Sequence, residues 1–156
     1  MPAADQVTIR PTWVVCHILL YIMQIDLLSG AQIDLRALRK SDPDAFAAVL
    51  AFLVEAAADD ELIDKCTTYG NVQFNLTRVN VKRWVAAEGI VGNLFRIRIL
   101  DSPATVYRVI YGYDWRIRRI GILAVVYKEG FSYEISGELA DRIQDDWFSA
   151  TDGLYT

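Results

Sequence analysis

The chain has 156 residues and a formal net charge of −4 at pH 7, with 53% hydrophobic and 23% charged residues. This length allows one domain with a real hydrophobic core, and the composition excludes an extended disordered protein. The acidic balance argues against a protein that coats nucleic acid non-specifically, because that mode needs a strongly basic surface. We therefore predict a single domain over residues 1–156.

Charge is distributed unevenly along the chain. Residues 71–134 carry ten basic and five acidic side chains, whereas residues 1–70 carry five basic and ten acidic ones. Residues 135–156 carry one basic and five acidic side chains. A positive central segment between two negative flanks permits an anion-binding face on an otherwise acidic protein.

The longest apolar run is residues 13–23. It is shorter than the roughly 20 residues of a membrane-spanning helix, and no secretory signal pattern precedes it. We therefore expect a cytoplasmic protein with no membrane partner. Residues 13–24 fit a first strand, because Val14, Val15 and Ile18 are β-branched, but a helix fits nearly as well.

Cys16 and Cys66 lie among apolar neighbours and match no metal-ligand spacing. Reduced core thiols are therefore expected in preference to a disulfide. His17 lies within the apolar run, where a buried structural role is more common than a catalytic one. With no phosphate-cradling glycine loop and no metal motif, we predict neither a metal nor a cofactor.

Two helices are predicted after the first strand. Residues 28–40 turn Leu35 and Leu38 inward and their basic residues toward water. Asp42 followed by Pro43 predicts the start of the second helix, since Asp caps a helix and Pro suits its first position. This helix should fade at or shortly beyond residues 59–61. Its apolar residues at helical spacing are Phe46, Val49, Leu50, Leu53, Val54 and Ala57.

Residues 66–92 are the hardest part of the sequence to interpret. The alternating residues of a short strand are Val72, Phe74 and Leu76. A short helix ending at Gly89 would carry Val81, Trp84 and Val85 on one face.

Residues 93–133 predict three consecutive strands joined by two turns. The strands are residues 95–99, 106–113 and 120–127, and the turns are residues 101–103 and 114–116. Ser136 is a candidate cap for a final helix whose apolar stripe is Leu139, Ala140, Ile143 and Trp147. The predicted fold is α+β, built around an antiparallel meander.

This order resembles the RelE/ParE superfamily of small bacterial toxins. The resemblance is carried by LFRIR at residues 94–98, YRVIY at residues 107–111 and the apolar strand of residues 122–128, which ends in Lys128. It covers residues 28–44 and 92–147, and it implies an N-terminal strand, an α-hairpin, an antiparallel meander and a C-terminal helix. Relative to that family, residues 1–12 and 66–92 are extra material.

The resemblance implies the toxin of a bacterial toxin–antitoxin pair that cleaves mRNA on the ribosome. In this chemistry the 2′-hydroxyl attacks the adjacent phosphate, which requires cations aimed at the developing charge. The residues that match this role are Arg96, Arg98, Arg108 and Lys128. Tyr127 or Tyr133 would stack on an RNA base. A cognate antitoxin protein is the expected partner, together with the ribosome and mRNA.

The sequence is also compatible with two other interpretations. A ParE-like protein of the same fold would bind gyrase, and an immunity or interaction protein would bind another protein, in both cases without cleaving RNA. Arg96 and Arg98 also have an ordinary explanation as a solvated strand face whose aliphatic stems cover apolar surface.

Overall fold

A computed structural model describes residues 24–67, 74–76, 79–84, 86, 92–129, 131 and 136–154. The predictions for residues 13–23, for Cys16 and His17, for Val72, Val85 and Gly89, and for Tyr133 lie outside these residues. The helices are α1 (Ser29–Ser41), α2 (Pro43–Ala57), α3 (Asp60–Thr67) and α4 (Glu138–Ala150). The strands are β1 (Gln24–Leu27), β2 (Phe74–Leu76), β3 (Val79–Arg83), β4 (Leu94–Ile99), β5 (Tyr107–Asp114) and β6 (Arg119–Tyr127).

The described strands form one sheet in the order β1-β6-β5-β4-β3-β2. All neighbouring pairs are antiparallel except β1 and β6, which run parallel. The fold is therefore α+β with a mixed sheet. The predicted meander of β4, β5 and β6 is confirmed, and a short 3₁₀ helix, Pro103–Val106, connects its first two strands.

The short helix predicted around Val81 and Trp84 is wrong, because the structure has strand β3 there. Val79 and Val81 are both buried, whereas Lys82, which follows Val81, is exposed. This two-residue alternation is the period of a strand with one covered face. The prediction grouped residues by helical spacing and so missed it.

The predictions for the first two helices are largely confirmed. Asp42 accepts a hydrogen bond from the Ala45 amide at 3.0 Å, and Pro43 occupies the first turn of α2. The predicted apolar stripe of α2 is partly wrong, since Val54 is 70% exposed and Phe52 is buried instead. Helix α3 was not predicted as a separate element.

The C-terminal helix is present, but Ser136 does not cap it. Helix α4 begins after Gly137, which supplies no side-chain hydrogen bond. Ala140, Ile143 and Trp147 are buried as the stripe predicts. None of the helices in the described part of the chain has the length and apolar character needed to cross a membrane.

Helices cover the two faces of the sheet to different extents. Helices α1, α2 and α3 pack on one face, which we call the helix face, where Phe95, Ile97 and Tyr111 are buried. Helix α4 packs on the other face, which we call the open face, near β5 and β6. Its Trp147 lies over Gly112 and donates a hydrogen bond to the Gly92 carbonyl at 3.1 Å. Trp84 and Phe131, whose ring centroids are 5.2 Å apart, belong to the same buried cluster, so they also cover part of this face.

Polar contacts fix α4 against α1 and β6. The guanidinium of Arg142 donates to both carboxylate oxygens of Asp34, at 2.9 and 2.7 Å. Asp34 also accepts from the Val125 amide at 2.9 Å, three residues beyond the last β1–β6 pair, Leu27 with Ile122. A side chain of α1 thus supplies an acceptor to β6 where β1 has ended.

Candidate functional site

Strand β4 directs two of the predicted cations to the open face. Phe95 and Ile97 are buried under the helices, so the alternating Arg96 and Arg98 point to the opposite side of the sheet. Arg96 lies opposite Ile110 of β5, which belongs to the core cluster of the open face. Arg98 is exposed and Arg96 is half-buried.

Strands β5 and β6 direct Arg108 and Lys128 to the same face. Arg108 pairs with Val126, which packs at the edge of the open-face cluster. Lys128 lies two residues beyond Val126, and its amide still donates to the Val106 carbonyl at 2.8 Å. Continuing the register of Ile97 with Val109 by one residue would set Arg98 opposite Arg108. All four predicted cations therefore share one face.

Backbone carbonyls hold the guanidinium of Arg108. Its Nη1 donates to the Tyr107 carbonyl at 2.8 Å and to the Thr105 carbonyl at 3.1 Å. Among the described residues, its Nε and Nη2 make no further hydrogen bond, and no carboxylate neutralises it. Because two of its bonds are internal, the side chain is already oriented before any anion binds.

The side chains of Arg98 and Lys128 are more exposed than that of Arg108. Lys128 Nζ lies 4.0 Å from Glu129 Oε1, and both side chains are substantially exposed, so this pair holds Lys128 only weakly. Within the described part of the chain, Arg98 has no hydrogen-bond or ion-pair partner. Both side chains can therefore turn toward an incoming anion.

A fifth cation, Lys82, lies on the same face and was not predicted as a site residue. It is exposed on β3 and directly opposite Arg96 in the β3–β4 register, while Asn80 lies opposite Arg98. The alternation of Val79 and Val81 was the signal that could have found it. A helix over this segment would not align Lys82 with Arg96 of β4, so the helical prediction missed this residue.

Tyr127 lies on the helix face, away from the arginines. It pairs with Tyr107, and the two ring centroids are 5.6 Å apart in an edge-to-face arrangement. The Tyr107 hydroxyl donates to Asp42 Oδ2 at 3.2 Å, and burial together with this carboxylate raises the pKa of Tyr107. The expectation that Tyr127 stacks on a base bound beside Arg108 is therefore not supported. Tyr133 lies outside the described residues.

The helix face carries a cavity that is separate from the cationic residues. A cavity of about 940 Å³ lies between α2, α3 and the adjoining ends of β3 and β4. Its charged lining is mainly carboxylate, namely Glu55, Asp59, Glu61 and Asp101 with Lys65. These carboxylates would repel a phosphate, so the cavity is not part of the cationic site.

The chemistry of the open face follows from its charges. Guanidinium and ammonium groups from several strands can bind an anion and stabilise charge that develops on it. The described residues of this face include no histidine to accept a proton, since the chain's single histidine is His17. The geometry thus supports anion binding more directly than proton transfer.

Comparisons of this chain with protein-family models, with curated proteins and with solved structures find no match. The functional assignment therefore depends on the cationic face itself.

Proposed function

We propose that this protein is a RelE/ParE-like toxin of a bacterial toxin–antitoxin pair, acting as an mRNA interferase in the cytoplasm. The observation that carries the proposal is the shared face of Arg96, Arg98, Arg108 and Lys128. The order of strand, α-hairpin, meander and C-terminal helix supports the RelE/ParE-like fold.

In the proposed mechanism, the open face binds single-stranded RNA through its phosphates. The 2′-hydroxyl loses its proton to solvent water and attacks the adjacent phosphate, which forms a dianionic state. The bond to the 5′-oxygen then breaks, and the products are a 2′,3′-cyclic phosphate and a 5′-hydroxyl that takes its proton from water. Arg98 and Arg108 would contact the reacting phosphate. Backbone carbonyls hold Arg108 before the reaction, and a cation fixed in this way stabilises developing charge without reorganising. Arg96 and Lys128 would contact the flanking RNA backbone.

The proposed partners are a cognate antitoxin, the ribosome and mRNA. A cognate antitoxin would bind the toxin and would neutralise or cover the cationic face, so that the toxin stays inactive while the antitoxin is bound. The ribosome would present the mRNA and hold it against this face. Presentation by the ribosome is compatible with the net charge of −4, because the toxin then needs only a local basic surface.

A non-catalytic protein of the same fold is the second candidate. Tyr127 lies on the opposite face from the arginines, so the described residues offer no base-stacking tyrosine beside them. This favours a binding protein, either a ParE-like gyrase inhibitor or an immunity or interaction protein. In that case the arginines would contact carboxylates of the partner.

The Arg98→Ala variant tests the two candidates. Arg98 is exposed, so its removal should leave the fold intact, and Arg36→Ala on α1 is a matched control for the loss of one exposed arginine. For an interferase, Arg98→Ala should relieve growth arrest and reduce mRNA cleavage at least tenfold, as expected when a transition-state contact is lost. Growth arrest with intact transcripts and inhibited DNA supercoiling would instead identify the gyrase-binding alternative.

A further inference from the structure

Four large apolar side chains are exposed where the β5–β6 turn meets the end of α4. Their exposed fractions lie between 52% and 62%, and they are Trp115, Ile117, Phe148 and Leu154. The turn follows the last β5–β6 pair, Asp114 with Arg119, and Arg119 Nη1 lies 3.5 Å from the carbonyl oxygen of Ala150 at the end of α4. We call these four side chains, together with Arg118 and Asp152, the tip surface.

The apolar content of the tip surface indicates an interaction site. Single exposed apolar side chains are ordinary, but several of them grouped on one surface mark a place where a partner binds. Two of the four are aromatic, and Trp and Phe are enriched in protein interfaces. A partner with apolar side chains of its own would remove all four from water.

The tip surface also carries charges of both signs. Within the described part of the chain, neither the guanidinium of Arg118 nor the carboxylate of Asp152 has a hydrogen-bond or ion-pair partner. The adjacent Arg116 differs, because Asp114 neutralises it at 2.5 Å. Asp152 follows α4, whose last turn contains no basic residue, so its carboxylate adds to the negative end of the helix dipole. The turn is therefore positive and the helix end is negative.

We infer that the partner of the tip surface is a second copy of this chain. A two-fold axis that passes between the turn and the helix end places Arg118 of each protomer beside Asp152 of the other. The apolar side chains of each turn then pack against those of the other protomer's helix end. Two halves of opposite charge that lie side by side make the surface complementary to itself.

The same charges disfavour other occupants. An anionic lipid surface would attract Arg118 but would repel Asp152 and Asp145, both of which are exposed. A uniformly acidic or uniformly basic protein would be repelled by one half of the tip surface. A second copy matches both halves, because it carries both signs in the same arrangement.

The contact lies at the far end of the meander from the cationic site. Arg108 is six residues before Asp114 on β5, which separates it from the turn by about 20 Å. The inference therefore goes beyond the proposed function and does not depend on it. Each protomer contributes only a few side chains, so the interface is small and we expect a dissociation constant in the micromolar range.

Sedimentation velocity of the full-length protein tests the inference at concentrations from about 1 to 100 μM, which bracket this affinity. Ile117→Ser removes an exposed β-branched side chain from the tip surface. Val54→Ser removes one from α2, where Val54 is 70% exposed, and is the matched control. We expect Val54→Ser to dimerise like wild type. Ile117→Ser should weaken dimerisation at least about tenfold, because the symmetric contact is lost twice in each dimer.

An exchange of the two charged residues tests their contact directly. Arg118 and Asp152 have left-handed backbones with φ of 51° and 52°, so each position already holds its native residue in the conformation that the other requires. Arg118→Asp alone and Asp152→Arg alone should each weaken dimerisation about tenfold, since like charges replace two ion pairs in each dimer. The double variant, which restores opposite charges, should dimerise within about twofold of wild type.

Several results would overturn the inference. One is a wild type that sediments as a monomer at every concentration. Dimerisation that survives both Ile117→Ser and Arg118→Asp would place the interface elsewhere, and a double variant no tighter than the single ones would show that the two charges do not meet.

The competing membrane assignment has its own readout. A monomeric wild type that binds phosphatidylserine vesicles with a blue shift of tryptophan emission, when Trp115→Ser shows none, would assign the tip surface to a lipid membrane instead. None of these measurements involves mRNA cleavage or growth arrest, so the proposed function is tested separately by Arg98→Ala.

Discussion

Asp146 and Gly30 connect the C-terminal helix to the first turn of α1. Asp146 Oδ2 accepts a hydrogen bond from the Gly30 amide at 2.9 Å, and Oδ1 accepts from the Ser29 hydroxyl at 2.8 Å. The residue before α1 is Leu28, whose side chain cannot cap the helix. The Gly30 amide in the first turn of α1 therefore takes its acceptor from a carboxylate 116 positions away in the sequence.

Removal of this carboxylate should destabilise the protein. We expect Asp146→Ala to lower the free energy of unfolding by about 1 kcal/mol, because a capping acceptor and a favourable charge at a helix N-terminus are both lost. Asp146→Asn should retain much of the stability, since its amide oxygen can still accept. Urea unfolding would measure the change, with exposed Asp145→Ala as control. Equal stability of Asp145→Ala and Asp146→Ala would contradict the prediction.

The close approach of Trp147 to the sheet predicts a graded effect of added methyl groups. A Cβ on Gly112 would lie 2.6 Å from the Trp147 ring, whereas a Cβ on Gly121 would lie 3.1 Å from it. Gly112→Ala should therefore cost about 1–3 kcal/mol of stability through overpacking, and Gly121→Ala should cost less. Thermal unfolding of the two variants would test this, and the reverse order would show that Trp147 does not occupy this position.

The buried thiol of Cys66 predicts a stability change in alkali. Burial, and secondarily the carboxylate of Asp59, raises the pKa of Cys66 from 9.0 to about 12. Above pH 9 the thiol ionises in the unfolded chain but not in the folded one. The stabilising contribution of the neutral thiol is therefore complete below pH 9 and is lost as the pH rises toward 12.

A comparison of wild type with Cys66→Ala isolates this contribution. The difference in their free energies of unfolding should shift in favour of the variant by up to about 1.4 kcal/mol per pH unit above pH 9. Titrating groups that do not interact with Cys66 act equally in both proteins and cancel. Urea unfolding at pH 8, 9, 10 and 11 would supply the data. A difference that stays constant over this range would contradict burial of the thiol.

The position of Tyr127 predicts that it has no direct role in RNA binding. Tyr127→Ala should lose the edge-to-face contact with Tyr107, at a cost of about 0.5–1.5 kcal/mol of stability. The affinity of Tyr127→Ala for a labelled single-stranded 2′-O-methyl oligouridylate, which has no free 2′-hydroxyl and is not cleaved, should equal that of wild type, whereas Arg98→Gln should bind more weakly. A tenfold loss of affinity in a folded Tyr127→Ala protein would place this ring in the RNA site after all.

Local signals in the sequence were sufficient for several elements. The Asp42-Pro43 pair predicted the start of α2, because capping and the missing proline donor both act within one helical turn. The alternation of Arg96 and Arg98 with buried neighbours predicted which face of β4 they occupy. These features depend only on residues close in sequence.

Local patterns gave wrong predictions in two cases. In one, the same residues fitted both helical and strand spacing, and in the other, two adjacent strand residues were assigned to one site. Val81 and Trp84 fit a helical spacing, but pairing with β4 placed Val81 in a strand and Lys82 on the open face. Tyr127 and Lys128 are adjacent, so strand alternation directs them to opposite faces, although both were predicted to contact the same RNA.

The sequence alone determined the meander and the shared face of Arg96 and Arg98 on β4, since strand alternation is a property of the local backbone. Only the tertiary structure decided the parallel pairing of β1 with β6, the cap that Asp146 provides to α1, and the position of Lys82 opposite Arg96. Each of these joins segments far apart in the chain. Burial and hydrogen bonding of the whole fold select such contacts, and no local pattern encodes them.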